Sequence, residues 1–211
     1  MRLYLASTSP ARLATLRAVG IEPVTLPSHV DEEAAVAGAG PLAPDEMVLL
    51  LARLKAEAVA ASLADAGGFD GLVLGGDSAF EFDGTVYGKP HLPGAARARW
   101  HAQRGRSGVL HSGHWLIDAR GGQVGAAVGA CAAATVNFAD DITDDEIDAY
   151  IATGEPLEVA GAFTIDARGA AFIESIDGDP HAVVGLSVPL VRKLVRSLGV
   201  EWTSLWNATT A

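Results

Sequence analysis

A single cysteine, Cys131, stands in 211 residues, so no intramolecular disulfide can form and no second thiol is present to complete a metal site. A reducing, cytoplasmic setting follows as the expectation. Cys131, flanked by alanines, reads there as a small buried hydrophobe rather than a nucleophile. Basic residues are also scarce: 15 Lys plus Arg against 26 Asp plus Glu leave a formal net charge of −11. Such a balance repels phosphate backbones and anionic headgroups, which argues against duplex nucleic acid and membrane surfaces as partners. Long apolar runs are missing too. Val48 to Leu51 and Ala126 to Val136 are too short or too rich in small residues to span a bilayer, and no basic-then-apolar leader is expected. No glycine-rich run ends in Gly-Lys-Ser/Thr and no G-x-G-x-x-G opens a helix, which excludes two common nucleotide loops.

What is present is core material. At 49% hydrophobic and 19% charged, the chain is expected to fold as one domain over residues 1–211. Residues 2 to 6 read as a strand, and Ala11 to Val19 as a helix that Gly20 can end. A strand near Pro23 to Leu26 precedes a polar loop, Ser28 to Glu33, and a long helix follows from about Asp45 to Asp65. Leu72 to Leu74 reads as a short buried strand closed by Gly75-Gly76-Asp77-Ser78. Asp83-Gly84 between two alternating apolar segments predicts a hairpin over Phe80 to Tyr87. A helix near Gly94 to Gln103 leads to strands near Val109 to Asp118 and Gln123 to Phe138. Thr143 and Glu146 are spaced as a capping box for a helix that Gly154 stops. Strands near Ala162 to Ile165 and Ala170 to Ile176 and a helix near Pro189 to Leu198 complete an α/β chain with a mixed twisted sheet and flanking helices.

Candidate chemistry gathers at the ends of these elements. Ser7-x-Ser9-Pro10-x-Arg12 joins a strand to a helix, where free amides and the helix dipole favour an anion; equally, Ser9 there can simply cap the helix. Lys55 interrupts an apolar helical stripe formed with Val48, Leu51, Ala58 and Ser62. It either snorkels outward on its aliphatic stem or holds an anion. Asp77 follows an apolar strand and two glycines, a usual place for a ligand-binding carboxylate. Asp31-Glu32-Glu33 supplies a second acidic group, and Lys89 stands between Gly88 and Pro90. Cations and carboxylates in such a set suit metal-assisted phosphoryl chemistry. His111 and His114, three apart on a strand, point to opposite faces and suit no shared metal.

Read together, these segments resemble the Maf family of septum-formation-associated nucleotide pyrophosphatases over nearly the whole chain. The carriers are Leu5 to Arg12, Val30-Asp31-Glu32, Leu51 to Ala56, Gly76-Asp77-Ser78, Gly88-Lys89-Pro90, Asp145 to Tyr150, Gly154 to Leu157, Ala160 to Phe163 and Val184-Gly185-Leu186. The resemblance implies a cytoplasmic enzyme, dependent on a divalent metal such as Mg²⁺ or Mn²⁺, that splits a nucleoside triphosphate into monophosphate and pyrophosphate. It further implies two lobes around a cleft, as in the inosine triphosphate pyrophosphatases, and a homodimer. By resemblance, Asp77 is the catalytic base and Ser7, Arg12, Glu32, Lys55 and Lys89 are active-site positions. Ser7, Ser9, Arg12, Lys55 and Lys89 would then bind phosphate, while Glu32 and Asp77 hold metal. A non-catalytic nucleotide-binding regulator of septum formation is the alternative. Members preferring dTTP or UTP carry Arg, Thr and Gln where this chain has Ala11, Ser78 and Asp166, and those acting on 7-methyl-GTP carry Trp, Gln and Glu. Base preference is therefore expected to turn on Ala11, Ser78 and Asp166, without a strong preference for UTP or dTTP.

Overall fold

The computed structural model describes residues 1–67 and 69–207. Seven strands form one mixed sheet, in which Val24–Thr25, Leu3–Ala6, Leu72–Phe82, Ser107–Asp118, Ala127–Phe138 and Ile173–Gly178 follow in that order and Thr85–Tyr87 pairs on Leu72–Phe82. They are β1 (Leu3–Ala6), β2 (Val24–Thr25), β3 (Leu72–Phe82), β4 (Thr85–Tyr87), β5 (Ser107–Asp118), β6 (Ala127–Phe138) and β7 (Ile173–Gly178). The helices are α1 (Pro10–Ala18), α2 (Glu32–Ala39), α3 (Pro44–Ala66), α4 (Pro93–Gln103), α5 (Asp144–Ala152), α6 (Pro180–Val184) and α7 (Val188–Ser197). β1 runs parallel to β2 and β3, whereas β4 and β7 pair antiparallel with β3 and β6. The expected mixed α/β class is the observed one.

Contacts divide the chain into two compact units, one made of Met1–Asp77, Ser112–Ala132 and Gly185 onward, the other of Ser78–His111 and Ala133–Val184. In the first, β1 and the first half of β3 are buried on both faces. Leu3, Leu5, Leu72, Leu74 and Leu116 join one apolar cluster with Leu16 of α1 and Val191, Leu194 and Val195 of α7. The alternate residues Tyr4, Ala6, Val73 and Ile117 join another with Ala56, Val59 and Ala60 of α3. Successive side chains point to opposite faces of a strand, so a continuous apolar run is what two helical layers require. In the second unit the aromatics take over: Trp100 lies edge-on to Phe138 and Tyr150, with ring centroids 5.6 and 5.4 Å apart, and its indole donates to the Ala162 carbonyl at 2.8 Å.

Several expected elements change on folding. The strand read as ending at Leu74 continues to Phe82, so Asp77 sits inside a strand rather than at its end. Its glycines are close-approach positions: a Cβ on Gly75 would come 2.0 Å from the Ala52 carbonyl oxygen of α3. The polar loop instead opens α2, because Asp31 caps it by accepting from the Ala34 amide and Glu32 and Glu33 occupy the first turn. Ala162 to Ile165 forms no strand, since Gly161 and Ala162 both take positive φ. The hairpin stands as expected, with Asp83 at φ 50° and Gly84 at 71°, and so does the Thr143–Glu146 capping box. Cys131 is half-buried, and burial pushes its thiol up to about 11, the state of a poor nucleophile. Among the described residues no helix is long and apolar enough to cross a membrane.

Candidate active site

The site begins where β1 hands the chain to α1. Ser9 caps α1 through its hydroxyl, which accepts from the Arg12 amide, and Pro10 fills the first turn, where no amide hydrogen is needed. The Ser7 hydroxyl accepts from the Ser9 amide at 3.1 Å and from the Arg12 guanidinium at 3.2 Å. Arg12 Nε donates to the Gly185 carbonyl at 2.8 Å. The guanidinium is therefore held at both ends, and it lies across the backbone of Gly76, where a Cβ would sit 3.2 Å from Nε. Ser7, Ser9, Pro10, Leu13 and Leu26 line a cavity of about 200 Å³ beside this turn.

Lys55 is the centre of the arrangement. α3 buries Val48, Leu51, Ala52, Lys55, Ala56, Val59 and Ala60, a stripe displaced from the expected one, since Ser62 is exposed. The Lys55 side chain is only 10% exposed and does not snorkel. Its ammonium donates to Asp77 Oδ1 at 2.7 Å and pairs with Glu32 Oε1 at 2.8 Å. An ammonium so far from water needs such partners, because desolvating an unpaired charge costs several kcal/mol, on the order of the chain's whole stability.

Asp77 is 13% exposed at its side chain, and burial pushes its carboxyl above the ordinary carboxylate range. Lys55 and Arg12 oppose that shift, and Glu32 adds to it. Burial likewise lowers the Arg12 guanidinium from its ordinary value, against the raising pull of Asp77 and Glu32. Two cations thus face two carboxylates in one partly dry spot. Shifted groups of this kind mark sites of chemistry more often than sites of packing.

Five sequence-predicted residues, Ser7, Arg12, Glu32, Lys55 and Asp77, are thereby brought together, with Ser9 as the cap of the same turn. The other three chemistry-bearing positions belong to the second unit. Lys89 pairs with Glu158 at 3.8 Å, both side chains exposed, Ser78 is half-buried, and Asp166 is exposed. Ala11 is half-buried on α1. His111 and His114 part company as expected: His111 meets Glu81 at 3.0 Å, while His114 accepts from the Ser187 amide at 3.0 Å. One residue, within the Gly154 to Leu157 segment that carries the resemblance, is given no role by the sequence. Glu155 gathers hydrogen bonds from Tyr150, Thr164, Arg168 and Gly169, donors scattered over twenty residues.

Among the described residues no group of three or more His, Cys, Asp or Glu side chains could hold a metal ion. The donor set that does exist is a pair of hard carboxylates, Asp77 and Glu32. That set fits Mg²⁺ or Mn²⁺ bound in the usual manner of phosphoryl enzymes, with substrate phosphates and water completing the oxygen shell.

Comparison with known proteins gives a family and named relatives. Residues 2–198 match the family described as Maf-like protein. The chain is 69% identical to a protein of Leifsonia xyli subsp. xyli named nucleoside triphosphate pyrophosphatase, covering 98% of this chain and 97% of that one. It is 52% identical to a protein of the same name from Salinispora tropica, covering 100% and 90%. A third of that name, from Saccharopolyspora erythraea, is 49% identical with both chains covered completely.

Proposed function

The chain belongs to the Maf-like protein family, and from that footing we propose that it is a nucleoside triphosphate pyrophosphatase, hydrolysing the anhydride between the α and β phosphates to leave monophosphate and pyrophosphate. The observation that carries the reading is Lys55, bound at once to Asp77 and Glu32 within 2.8 Å. Pairing with Lys55 explains one role for these carboxylates, but a protein that only bound nucleotide would have no use for a carboxylate able to take a proton from water. Carboxylates are needed where water must be oriented and deprotonated, which favours catalysis over a purely regulatory role.

Within that reading, Arg12 and Lys55 offset the triphosphate charge, and the Ser7-Thr8-Ser9 turn offers hydroxyls and amides at the N-terminus of α1. Asp77 accepts the proton of the attacking water at a carboxylate oxygen. Lys55 holds that carboxylate in place and favours its ionised form against the burial that opposes it. Glu32 and Asp77 would hold a divalent metal, which supplies charge neutralisation and a more acidic water. The reaction consumes one water, breaks one P–O bond and releases one proton. Activity is expected to vanish in excess EDTA and return with Mg²⁺ or Mn²⁺, read out as monophosphate and pyrophosphate by ion-exchange chromatography. Full turnover in EDTA, or orthophosphate as the first product, overturns the mechanism. A single reduced cysteine suits the cytoplasm, where such substrates are found.

Base choice rests on Ala11, Ser78 and Asp166. A short side chain at Ala11 leaves room for the substrate, and the Asp166 carboxylate accepts from amino and ring N–H groups but repels carbonyls. Guanine offers two donors on one edge and cytosine an amino group, whereas uracil and thymine present one N–H between two carbonyls. UTP and dTTP are therefore expected to be used no better than about tenfold over GTP and CTP, roughly 1.4 kcal/mol of transition-state discrimination. Asp166→Gln is expected to shift kcat/KM toward UTP and dTTP. A wild-type preference for them beyond that margin refutes the assignment.

A further inference from the structure

Asp166 rides on a segment with no helix or strand of its own, from Phe163 to Ala167. Such a segment cannot present a side chain reproducibly unless something else fixes its backbone, because each free residue samples several conformations at a cost of about 1–2 kcal/mol to restrain. The something else is Glu155. Its Oε1 accepts from the Thr164 hydroxyl at 2.7 Å, the Gly169 amide at 3.0 Å and the Tyr150 phenol at 3.0 Å. Its Oε2 accepts from the Arg168 amide at 3.3 Å. One carboxylate thus ties residue 164 to residues 168 and 169, closing the base of a loop whose exposed tip holds Asp166.

A second observation fixes the same closure. A Cβ on Gly169 would lie 2.5 Å from the Tyr150 phenol oxygen and 2.6 Å from the Thr164 carbonyl, so only glycine lets the two ends of the loop come this close. The Glu155 side chain is 14% exposed, and its charge is satisfied almost wholly by these donors, the Arg168 guanidinium standing 3.6 Å away and largely in water. Burial alone would raise its pKa, yet the hydrogen bonds hold it below the ordinary carboxylate value, so it stays an acceptor for every donor at neutral pH. Burial also raises the Tyr150 phenol, which keeps it a donor.

We propose that Glu155 is a positioning residue for base selection: it clasps the Thr164–Gly169 loop and thereby sets where the Asp166 carboxylate is presented to the nucleobase. The proposal rests on the reading of Asp166 given above. Glu155→Gln keeps size and shape but turns one oxygen into an NH₂ that faces a backbone donor, which opens the loop at its base. With GTP, CTP, UTP and dTTP as probes, the variant is expected to compress the spread of kcat/KM by about fivefold or more, through KM more than kcat. Tyr150→Phe and Thr164→Val, each removing one donor while leaving the carboxylate, are expected to give smaller compressions of the same sign and keep the test open if Glu155→Gln folds poorly. In an Asp166→Ala background, Glu155→Gln is expected to change the spread by less than about twofold, because the side chain it positions is gone.

A merely structural Glu155 would lower the amount of active enzyme for all four nucleotides alike and leave their ratios untouched. Unchanged ratios in folded Glu155→Gln, or in both single-donor variants where it does not fold, therefore overturn the proposal. An Asp166→Ala enzyme with wild-type ratios overturns it as well, and places the fault in the Asp166 assignment rather than in the clasp.

Discussion

Asp77→Asn is expected to abolish most turnover, by about two to four orders of magnitude in kcat, while the protein stays folded. The amide matches the carboxylate in shape but accepts a water proton poorly and cannot offset a metal's charge. Stability is expected to respond through its pH dependence, over and above the constant cost of taking from Lys55 one of its two carboxylate partners. Burial raises the folded-state pKa of Asp77 above its ordinary value, so the folded protein holds this proton more tightly than the unfolded chain. Ionised Asp77 then costs stability, a cost absent below the unfolded pKa that grows as pH rises through the folded one. Asparagine carries no such cost. The melting temperature of Asp77→Asn relative to wild type should accordingly rise across that window, and kcat/KM of the wild type should climb with pH above the usual carboxylate range as Asp77 ionises. A folded Asp77→Asn enzyme that turns over like wild type would falsify the assignment of the base.

The chemistry of this chain was more legible in its sequence than the backbone that carries it. Lys55 stood out because a charge within an apolar helical stripe must find a partner or reach water, and it finds two partners. Asp77 stood out for the wrong local reason. Two glycines before a carboxylate look like a turn, yet here they let a strand pass under α3 and the Arg12 side chain, and the strand runs on to Phe82. Asp31-Glu32-Glu33 looked like solvated loop because acidic runs usually are, although an aspartate cap followed by two glutamates is also how a helix begins. Glu155 stands in the Gly154 to Leu157 segment that carries the resemblance, yet its role was not legible there, for a different reason. Its meaning lies in donors from Tyr150 to Gly169, and a hydrogen bond between residues far apart in an irregular segment has no period for a sequence to display.

Lys55→Met is expected to lower kcat/KM by about 10²–10³, the scale of losing one placed donor from a reacting charge. Methionine fits the surrounding Val48, Leu51, Ala52 and Val59 on α3, so the helix itself should be undisturbed. What changes is Asp77. Lys55 is the largest influence pulling the Asp77 pKa down against its burial, and without it that pKa rises further. The acid limb of the kcat/KM profile should therefore move to higher pH than in wild type. A bystander lysine on the helix surface could not produce that shift. Removing one member of a buried pair also leaves the other desolvated, at a cost of about 3–5 kcal/mol while Asp77 is ionised, softened here by Arg12 and disappearing at low pH, where the carboxyl is neutral in both proteins. The melting temperature of Lys55→Met should thus lag wild type at neutral pH and recover on acidification. Adding Asp77→Asn should restore most of the neutral-pH deficit without restoring turnover, because it removes the stranded charge but not the missing base. Equal stability losses at all pH values, or an unmoved acid limb, would show that Lys55 acts only by filling space.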